Sequence, residues 1–525
     1  MNILALGGSI HDFSACILSK GKITVAIEEE RLTKKKYAVH NRSTFRCKAA
    51  EYCLSALDMS IENIDAVVGN DLIESDYYMK YANQIKLYNH HLTHAASTYY
   101  TSPYHEAAVL VIDGRGSYII EDERIRETIS MYQADSDGLD CIKKNLGQET
   151  DEFSIVTNSI GMFLQYVTVG IGYSQMNETK MIKLSHGGTG RFVQDFNNFY
   201  TLQEGQFLQG FKELEALKRY VDVKLQEAGD AKTKLQVKKD LAFAAQYHLE
   251  RIVVHLCHWL YQMTKKPNLC LAGGIFENVQ LLMKIKNDTP FQNIYTPSFM
   301  GDAGTSIGAA LLHYHNTIKW TKKRPDIQVL GKCYPTEELV NHLSQQQFHI
   351  YTKKELATVT AQLLTRGYLI GIFTGKSEFG RYPYGHRNIV GDARKVELKE
   401  KLQRTKNRET FEPFSILKME QFKQACSSFL INLCYLEEPD HFPLVVNEDG
   451  STYCLPVNKN PSFMSQLLEE YHAISNIPFL LNTPLKKSDH TLIETPEEAI
   501  EFFLSTDLDA LVLDDHLIVK YSSSP

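Results

Sequence analysis

The stretch LYNHHLTH, Leu87–His94, decides how this chain is organised. His90 and His94 are four residues apart, so a helix over residues 89–100 would place both imidazoles on one face. An imidazole pair at this spacing provides half of a metal site, which a carboxylate from another segment can complete. The alternative is a pair of helix histidines that form only local hydrogen bonds.

Two acidic positions in matching contexts favour the metal hypothesis. The run Val109–Gly116, VLVIDGRG, predicts a strand that ends at Asp113 and opens into glycines. The stretch Ile294–Gly304 again predicts a strand, followed by a Gly-Asp-x-Gly turn at Asp302 and a helix of small residues. We expect the two aspartates to occupy equivalent places in two α/β halves that face a cleft, which is the actin-like plan. With the two histidines they would suit Fe(II), Mn(II) or Zn(II).

Length and composition bound the class of protein. A chain of 525 residues is long enough for two to four domains. The net charge of −7 gives no electrostatic case for nucleic acid. The start has no basic leader and no run approaches about 18 uninterrupted apolar residues, so we expect no signal peptide and no membrane span. Ten cysteines without a CxxC pair indicate reduced thiols, and we therefore expect a cytoplasmic enzyme.

Two glycine-containing stretches predict backbone that approaches a phosphate or a ribose. Residues 2–28 read as a strand, a Gly/polar loop and a hairpin, as in actin-like ATPases. The stretch NLCLAGGIFEN, Asn268–Asn278, predicts a short strand, a double glycine and a helix, an arrangement that suits nucleotide binding at a helix N-terminus.

A second unit is expected after a boundary at about residues 322–335. It begins with a helix near Leu339 and a strand that runs into Gly375. From Lys376 to Arg408 there are ten Lys and Arg against four Asp and Glu. A basic surface helix over 394–406 explains part of this excess. The glycine-flanked residues 375–391 are not helix-like, and there we expect guanidinium groups to bind phosphate or carboxylate oxygens.

The charged run Glu28–Lys36 leaves two interpretations open. Most runs of this kind form a solvated face, and that interpretation is favoured here. The alternative is a basic loop at the edge of an active site.

These stretches, in this order, resemble the NodU/CmcH family of O-carbamoyltransferases along nearly the whole chain. The family motif His-His-Leu-Ala-His-Ala-Ala-Ser is matched by His90–Ser97, and Asp-Gly-x-Gly by Asp113–Gly116. Leu-Ala-Gly-Gly-x-x-x-Asn is matched by Leu271–Asn278, and Gly-Asp-Ala-Gly by Gly301–Gly304. Several motifs in register make the resemblance specific.

The resemblance implies two domains and two reactions. Residues 1–335 would form an actin-like domain related to the tRNA threonylcarbamoyl-transfer proteins, and residues 336–525 a smaller α/β domain of YrdC type. The second domain would make carbamoyl adenylate from carbamoyl phosphate and ATP, with Mg²⁺. The first would pass the carbamoyl group to a hydroxyl of a small natural product or sugar, with iron as the implied metal. Relatives also imply a homodimer.

Site residues follow from the resemblance motif by motif. The implied metal ligands are His90, His94, Asp113 and Asp302. The implied nucleotide contacts in the first domain are Gly114, Gly116, Gly273, Gly274 and Asn278. The N-terminal segment offers candidates that orient substrate or act as base, namely His11, Asp12 and Lys36. The implied contacts to carbamoyl phosphate and ATP in the second domain are Lys376, Glu378, Arg381, His386, Arg387, Arg408 and Asn482.

The second domain departs from the family signature, which reads Gly-Arg-x-Glu-Phe-Gly-Pro-Arg-Ala-Leu-Gly-Asn-Arg-Ser. Within Gly375–Asn388 the first Arg is Lys376, the second is displaced to Arg381, and Asn is His386. Lysine lacks the bidentate fork of arginine. A later Arg is Glu412. An enzyme of the same fold that activates a different acyl or carbamate donor is therefore an alternative, and a non-catalytic nucleotide-binding protein is another.

Overall fold

Three β-sheets carry the fold in the computed structural model. The structure describes residues 1–38, 47–73, 85–121, 123–150, 155–318, 329–344, 348–352, 355–408, 412–419, 427–428, 432–457 and 462–520. Much of the predicted boundary at residues 322–335 lies outside these ranges.

The first sheet follows the sequence expectation for residues 2–28. Its strands are β1 (Asn2–Gly7), β2 (Ser14–Ser19), β3 (Lys22–Glu28), β4 (Ala66–Asn70) and β5 (Lys86–Tyr88). The order is β3-β2-β1-β4-β5, with β1, β4 and β5 parallel and β2 antiparallel to both β1 and β3. Two helices, α1 (Glu29–Thr33) and α2 (Lys48–Ala56), follow β3. Strands β1 and β2 are buried along almost their whole length, because elements cover both faces of the sheet.

The second sheet repeats this topology. Its strands are β6 (Ala107–Ile112), β7 (Tyr118–Ile120), β8 (Ile125–Asp135), β9 (Gly138–Gln148), β12 (Asn268–Ala272) and β13 (Asn293–Tyr295). A short hairpin, β10 (Thr201–Gln203) and β11 (Gln206–Leu208), lies outside it. In the order β9-β8-β6-β12-β13, the first three strands are antiparallel and the last three parallel. The two sheets together form the duplicated, actin-like α/β domain that the sequence predicts.

Helices cover and join the two sheets. They are α3 (His90–Tyr99), α4 (Ile160–Gly170), α5 (Glu178–Ser185), α6 (Phe211–Glu227), α7 (Ala231–Thr264), α8 (Val279–Asp288) and α9 (Gly304–Thr317). Helix α3 follows the last strand of the first half, and α9 follows the last strand of the second. A Cβ on Gly308 would lie 1.8 Å from the Thr93 carbonyl oxygen, so the two helices touch backbone to backbone. No described helix is both long enough and apolar enough to cross a bilayer.

The expected equivalence of Asp113 and Asp302 is wrong. Both follow strands of the second sheet, β6 and β13. The topological counterpart of Asp302 is His90, because each lies where the chain leaves the last strand of one half and enters α3 or α9. The sequence predicts a strand before each aspartate, but it does not show to which sheet each strand belongs.

The third sheet has nine strands. These are β14 (Phe348–Thr352), β15 (Ile370–Phe373), β16 (Arg387–Gly391), β17 (Ser415–Met419), β19 (Asn432–Tyr435), β20 (Ser451–Val457), β21 (Phe479–Pro484), β22 (Ala510–Leu513) and β23 (His516–Lys520). Their order is β14-β23-β22-β15-β16-β21-β17-β20-β19. The helices are α10 (Glu337–Ser344), α11 (Leu356–Thr365), α12 (Leu398–Lys406), α13 (Phe463–Ser475) and α14 (Pro496–Ser505). The short β18 (Ser427–Ser428) pairs instead with β13 of the second sheet. The domain boundary at residue 335 stays a prediction.

A buried ionic contact joins the first sheet to the third-sheet unit. Arg31 Nε lies 2.8 Å from Glu28 Oε2, and Arg31 Nη2 donates to the Gly380 carbonyl at 2.9 Å. Glu494 Oε2 lies 3.7 Å from Arg31 Nη1, and Glu494 Oε1 accepts from the Tyr52 hydroxyl at 2.6 Å. Charges buried this completely need their partners, so this contact fixes how the two units meet.

The charged run Glu28–Lys36 is therefore only partly solvated. Glu28, Glu29 and Arg31 are buried, whereas Lys34 is exposed. The interpretation of the whole run as a solvated face is wrong for Glu28, Glu29 and Arg31. Glu28 and Arg31 contact the backbone of Gly380, more than 300 residues away, and Glu29 accepts from the backbone N–H groups of Lys48 and Ala49.

Candidate active site

The four predicted ligands lie together at the start of α3. The Asn89 side chain caps this helix by accepting from Leu92 N at 2.9 Å. The Nε2 atoms of His90 and His94 are 3.2 Å apart, as expected for neighbours one turn apart. Asp113 Oδ2 lies 3.3 Å from His90 Nε2. Asp302 Oδ1 lies 3.3 Å from His94 Nε2 and 3.7 Å from His90 Nε2.

The electrostatics of this cluster call for a positive charge at its centre. One potential ligand atom from each residue lies within 4.8 Å of the other three, and both histidines are fully buried. Burial alone would lower the pKa of His90, but Asp113 and Asp302 outweigh it and raise that pKa to about 10. The pKa of Asp302 is held well below its usual range, because His11, His90 and His94 outweigh its own burial. Two neutral imidazoles and two carboxylates in this geometry fit a divalent transition metal.

Packing beneath α3 holds the cluster in place. Glu127 Oε1 accepts from Asn89 Nδ2 at 2.8 Å and from Ser117 N at 3.2 Å. A Cβ on Gly116 would lie 2.4 Å from Glu127 Cγ and 2.5 Å from His91 Nε2. Gly116 thus allows the turn after β6 to pack directly against α3. Burial lowers the pKa of His91 to about 4, so this histidine is neutral.

The loop after β1 reaches the cluster from the other half. His11 Nδ1 lies 3.2 Å from Asp12 Oδ2 and 3.7 Å from Asp302 Oδ2. The Ser9 hydroxyl donates to Asp302 Oδ2. Lys36 Nζ, the third predicted catalytic group, donates to the Ser488 carbonyl at 2.9 Å. The structure therefore brings His11 and Asp12 to the cluster and places Lys36 against the third-sheet unit.

A single cavity of about 1020 Å³ joins the cluster to the third-sheet unit. At one end it is lined by His11, Asp113 and Asp302, and at the other by Arg408 and Asn482. Reagents at the two ends therefore share one continuous cavity.

The predicted nucleotide glycines divide into two groups. Gly114, Gly274 and Asn278 line the cavity. Gly273 has φ +113°, and a Cβ on it would lie 1.9 Å from the Ile112 carbonyl oxygen. Gly273, like Gly116, occupies a position where packing excludes a side chain. A nucleotide contact of either glycine stays a prediction.

The glycine-flanked loop 375–388 is occupied mainly by its own contacts. Arg387 is fully buried, lies 3.6 Å above the Phe373 ring and donates to carbonyl groups of this loop at 2.9–3.0 Å. Glu378 Oε1 accepts from the backbone N–H groups of Tyr384 and His386, at 2.7 and 2.8 Å. These contacts shape the loop, and Arg387 is not among the residues that line the cavity. Anion binding by Lys376, Glu378, His386 and Arg387 stays a prediction.

Of the anion contacts predicted in this loop, Arg381 lines the cavity, next to Tyr382 and Pro383. Its Nη1 lies 2.9 Å from Glu277 Oε2 and its Nη2 lies 3.3 Å from Asp12 Oδ2. It thus bridges two carboxylates of the actin-like domain. Asn482 also lines the cavity, and its Oδ1 accepts from Asn388 Nδ2 at 2.6 Å.

At the far end of the cavity the sequence predicted Arg408 but missed two lysines. Lys183, Arg408 and Lys486 line it and are called here the cationic end. Burial, together with the nearby Lys36, lowers the pKa of Lys486 to about 8. Lys183 Nζ lies 2.9 Å from Glu412 Oε2, a partner 229 residues away. Lys183 lies in α5, and neither it nor Lys486 belongs to a motif that the sequence reveals. Only the fold brings them beside Arg408.

A polar chain crosses the cavity wall between the two units. His186 Nδ1 lies 2.6 Å from Asp449 Oδ2, and His186 Nε2 lies 2.9 Å from the Tyr453 hydroxyl. Gln280 Nε2 lies 2.7 Å from the same His186 nitrogen. These hydrogen bonds hold the ring of Tyr453 in the lining of the cavity. The sequence gives no signal for it, because its members lie on three distant segments.

Comparison with known proteins identifies the class. The chain matches the carbamoyltransferase N-terminus over residues 72–311 and the carbamoyltransferase C-terminus over residues 361–520. It belongs to the carbamoyltransferase family and is a carbamoyltransferase enzyme.

Named relatives agree with the NodU resemblance. The nodulation protein NolNO of Sinorhizobium fredii is 25% identical over 98% of this chain and 80% of its own length. NolO of Bradyrhizobium diazoefficiens is 27% identical over 83% of this chain and 79% of its own. Among solved structures, full-length HypF in its phosphate- and nucleotide-bound form has a TM-score of 0.37 at 15% identity. That match covers 61% of this chain and 47% of HypF.

Proposed function

We propose that this chain is an ATP-dependent O-carbamoyltransferase with two successive reactions in one cavity. Residues 336–525, as a YrdC-like domain, would form carbamoyl adenylate. Residues 1–335 would transfer the carbamoyl group to a hydroxyl of a small natural product or sugar. The observation that carries the proposal is the continuous cavity, which has a cationic end where the two units meet and a two-His, two-Asp cluster in the first unit.

The cationic end suits the activation step. Carbamoyl phosphate would lose its phosphate to water, and an oxygen of the resulting carbamate would attack the α-phosphorus of ATP·Mg²⁺. A new P–O bond forms and pyrophosphate leaves. Lys183, Arg408 and Lys486 would neutralise the phosphate oxygens, which bind ammonium and guanidinium groups strongly in a partly buried site. Asn482 would orient the carbamate by hydrogen bonding.

The cluster suits the transfer step. Gly114, Gly274 and Asn278 would hold the adenylate, and the acceptor oxygen would attack its carbamoyl carbon. A C–O bond to the acceptor forms, the bond from that carbon to the AMP oxygen breaks, and AMP leaves. His11, beside Asp12, would orient the hydroxyl and receive its proton. A divalent transition metal on the four cluster residues, iron by resemblance, would act as a Lewis acid on the carbamoyl group.

Pyrophosphate release tests the activation step. Incubation with ATP and carbamoyl phosphate should release pyrophosphate, and omission of either reagent should abolish release. Pyrophosphate release with ATP and another acid, but not with carbamoyl phosphate, would favour a different donor. The ion pair between Glu412 and Lys183 is the structural reason to consider one. No release with any donor would contradict an enzyme of this kind. Mass spectrometry of candidate alcohols then detects the carbamoyl product.

A further inference from the structure

Arg115 is a cation of the cavity wall that no described residue neutralises by contact. It lies in the turn between β6 and β7, two residues after Asp113, and lines the cavity. Within the described part of the chain, no hydrogen bond or ion pair involves its guanidinium. Arginine is always charged at neutral pH, so an unpaired guanidinium in a cavity favours an anionic partner.

Glu149, the carboxylate with the largest electrostatic effect on Arg115, is already engaged. Glu149 Oε2 lies 2.7 Å from Arg126 Nε and accepts from the Tyr118 hydroxyl at 2.6 Å. Arg126 lies 3.6 Å above the Tyr118 ring and also donates to the Gly116 carbonyl at 3.0 Å. Glu149 is thus paired with Arg126 and Tyr118. Because Glu149 forms no hydrogen bond or ion pair with the guanidinium of Arg115, that guanidinium is available to bind a ligand. Its planar fork can bind two oxygens of one group.

Sheet order separates this wall from Gly274 and Asn278, two of the three proposed adenylate contacts, whereas the third, Gly114, adjoins Arg115. Arg126 and Glu149 belong to β8 and the end of β9, on one flank of β6. Gly274 and Asn278 follow β12, on the other flank. Asp113 of the cluster lies between them, at the end of β6. If the nucleotide binds on the β12 side of β6, the β8 side remains free for the second substrate, the hydroxyl acceptor.

We propose, on the basis of the function proposed above, that the acceptor carries an anionic group that Arg115 binds while its hydroxyl lies at the cluster. The shared chemistry is a carboxylate, phosphate or sulfate on a small hydroxylated molecule. The stacked Tyr118 and Arg126 side chains form a flat face beside this subsite, which suits a ring such as a sugar.

Binding measurements on the full-length protein test the subsite without any carbamoyl transfer. Wild type, Arg115→Gln, Arg115→Lys and Arg219→Gln are compared, because Arg219 is an exposed helix residue that undergoes the same chemical change. Circular dichroism first checks that each variant is folded. AMP affinity should agree within twofold among all four proteins. A tenfold or greater loss in Arg115→Gln would assign this residue to the nucleotide phosphate and overturn the proposal.

The second measurement uses probe anions with AMP at saturation and constant ionic strength. The probes are glucose 6-phosphate, glucose 6-sulfate and glucuronate, with glucose as the neutral control. Wild type and Arg219→Gln should bind at least one anionic probe at least tenfold more tightly than Arg115→Gln does, with Arg115→Lys between them. Equal affinity of wild type and Arg115→Gln for all three probes would overturn the proposal. The preferred probe identifies the anion.

Transfer assays separate this proposal from the proposed function. If wild type releases pyrophosphate and carbamoylates glucose as fast as its anionic derivatives, the acceptor proposal fails and the enzyme activity stands. If wild type releases no pyrophosphate with any donor, the proposed function fails, whereas the binding results still report on Arg115. An Arg115→Gln variant that slows transfer to neutral and anionic acceptors equally would also contradict an acceptor contact.

Discussion

His94 is the residue whose loss should separate the two reactions. His94→Ala removes one of four clustered ligand groups, so we expect bound metal to fall at least tenfold and transfer to the acceptor to be lost. Pyrophosphate release should change little, because the cationic end is untouched. Metal analysis of the purified protein and the two assays check this.

His91→Asn is the matched control for that prediction. His91 lies on the same helix but contacts Ser130 Oγ at 2.8 Å and is not one of the clustered ligands. The variant should be less stable yet keep its metal content. Normal transfer by His94→Ala, or equal metal loss in both variants, would contradict the metal assignment.

Lys486 should make nucleotide binding depend on pH. The pKa of Lys486 is about 8, so the side chain is a cation below pH 8 and becomes neutral above it. Affinity for ATP should therefore fall as pH rises from 7 to 9, by up to about tenfold, because the cationic fraction of Lys486 falls from about nine tenths to about one tenth over this range.

Lys486→Arg keeps the charge throughout this range and should remove most of the pH dependence. Calorimetric titration of ATP at pH 7, 8 and 9 compares the two proteins. The same fall in affinity in both would show that another group is responsible.

At residue level, the sequence predicts groups that share a local motif and misses groups that only tertiary contact unites. His90 and His94 are predictable because helical spacing alone makes them neighbours. Lys183 and Lys486 are not, since nothing near them in sequence indicates that β21 and α5 face one cavity. Arg387 carries a family motif, yet its donors serve the loop carbonyls, which requires the backbone path of residues 374–386.

At the scale of elements, the turn after β6 should tolerate a methyl group at one glycine and not at another. A Cβ on Gly116 would clash with Glu127 and His91 beneath α3, whereas a Cβ on Gly114 meets no atom within 4 Å. Gly116→Ala should cost about 1–3 kcal/mol of unfolding free energy and lower metal content by displacing α3. Gly114→Ala should stay within about 0.5 kcal/mol of wild type.

Urea unfolding and metal analysis of both glycine variants provide the test. Equal stabilities would mean that the turn relaxes away from α3 and does not support the cluster.

The sequence predicts helices and strands well where the spacing of apolar residues agrees with the turn or capping residues at their ends. Helix α3, the hairpin of β2 and β3, and the strand–glycine–helix passage at residues 268–278 occur as expected. The pairing of Asp113 with Asp302 as equivalent positions failed, because two strand ends look alike in sequence, while their membership of one sheet depends on β6–β12 contacts between residues 161 positions apart.

At the scale of the whole molecule, the buried contact around Arg31 should govern stability. Arg31→Met leaves Glu28 and Glu494 buried without their counter-charge, and we expect a loss of about 3–5 kcal/mol. Lys34→Met removes a more exposed pair with Glu498, 2.6 Å apart, and should cost at most about 1 kcal/mol. Denaturant unfolding of the two variants checks the difference. Similar losses would show that the units are held together elsewhere.

The backbone contact between α3 and α9 has a mechanical consequence. These helices begin at the ligands of two different halves, so any rotation that opens the cleft changes the distance from His90 and His94 to Asp302. An ion bound to all three residues would hold the two halves together, so that release of the ion and opening of the cleft would be coupled. Removal of the metal by a chelator should then allow the two halves to open about the contact between α3 and α9. Backbone amides of these two helices should exchange hydrogen faster than in the metal-bound protein.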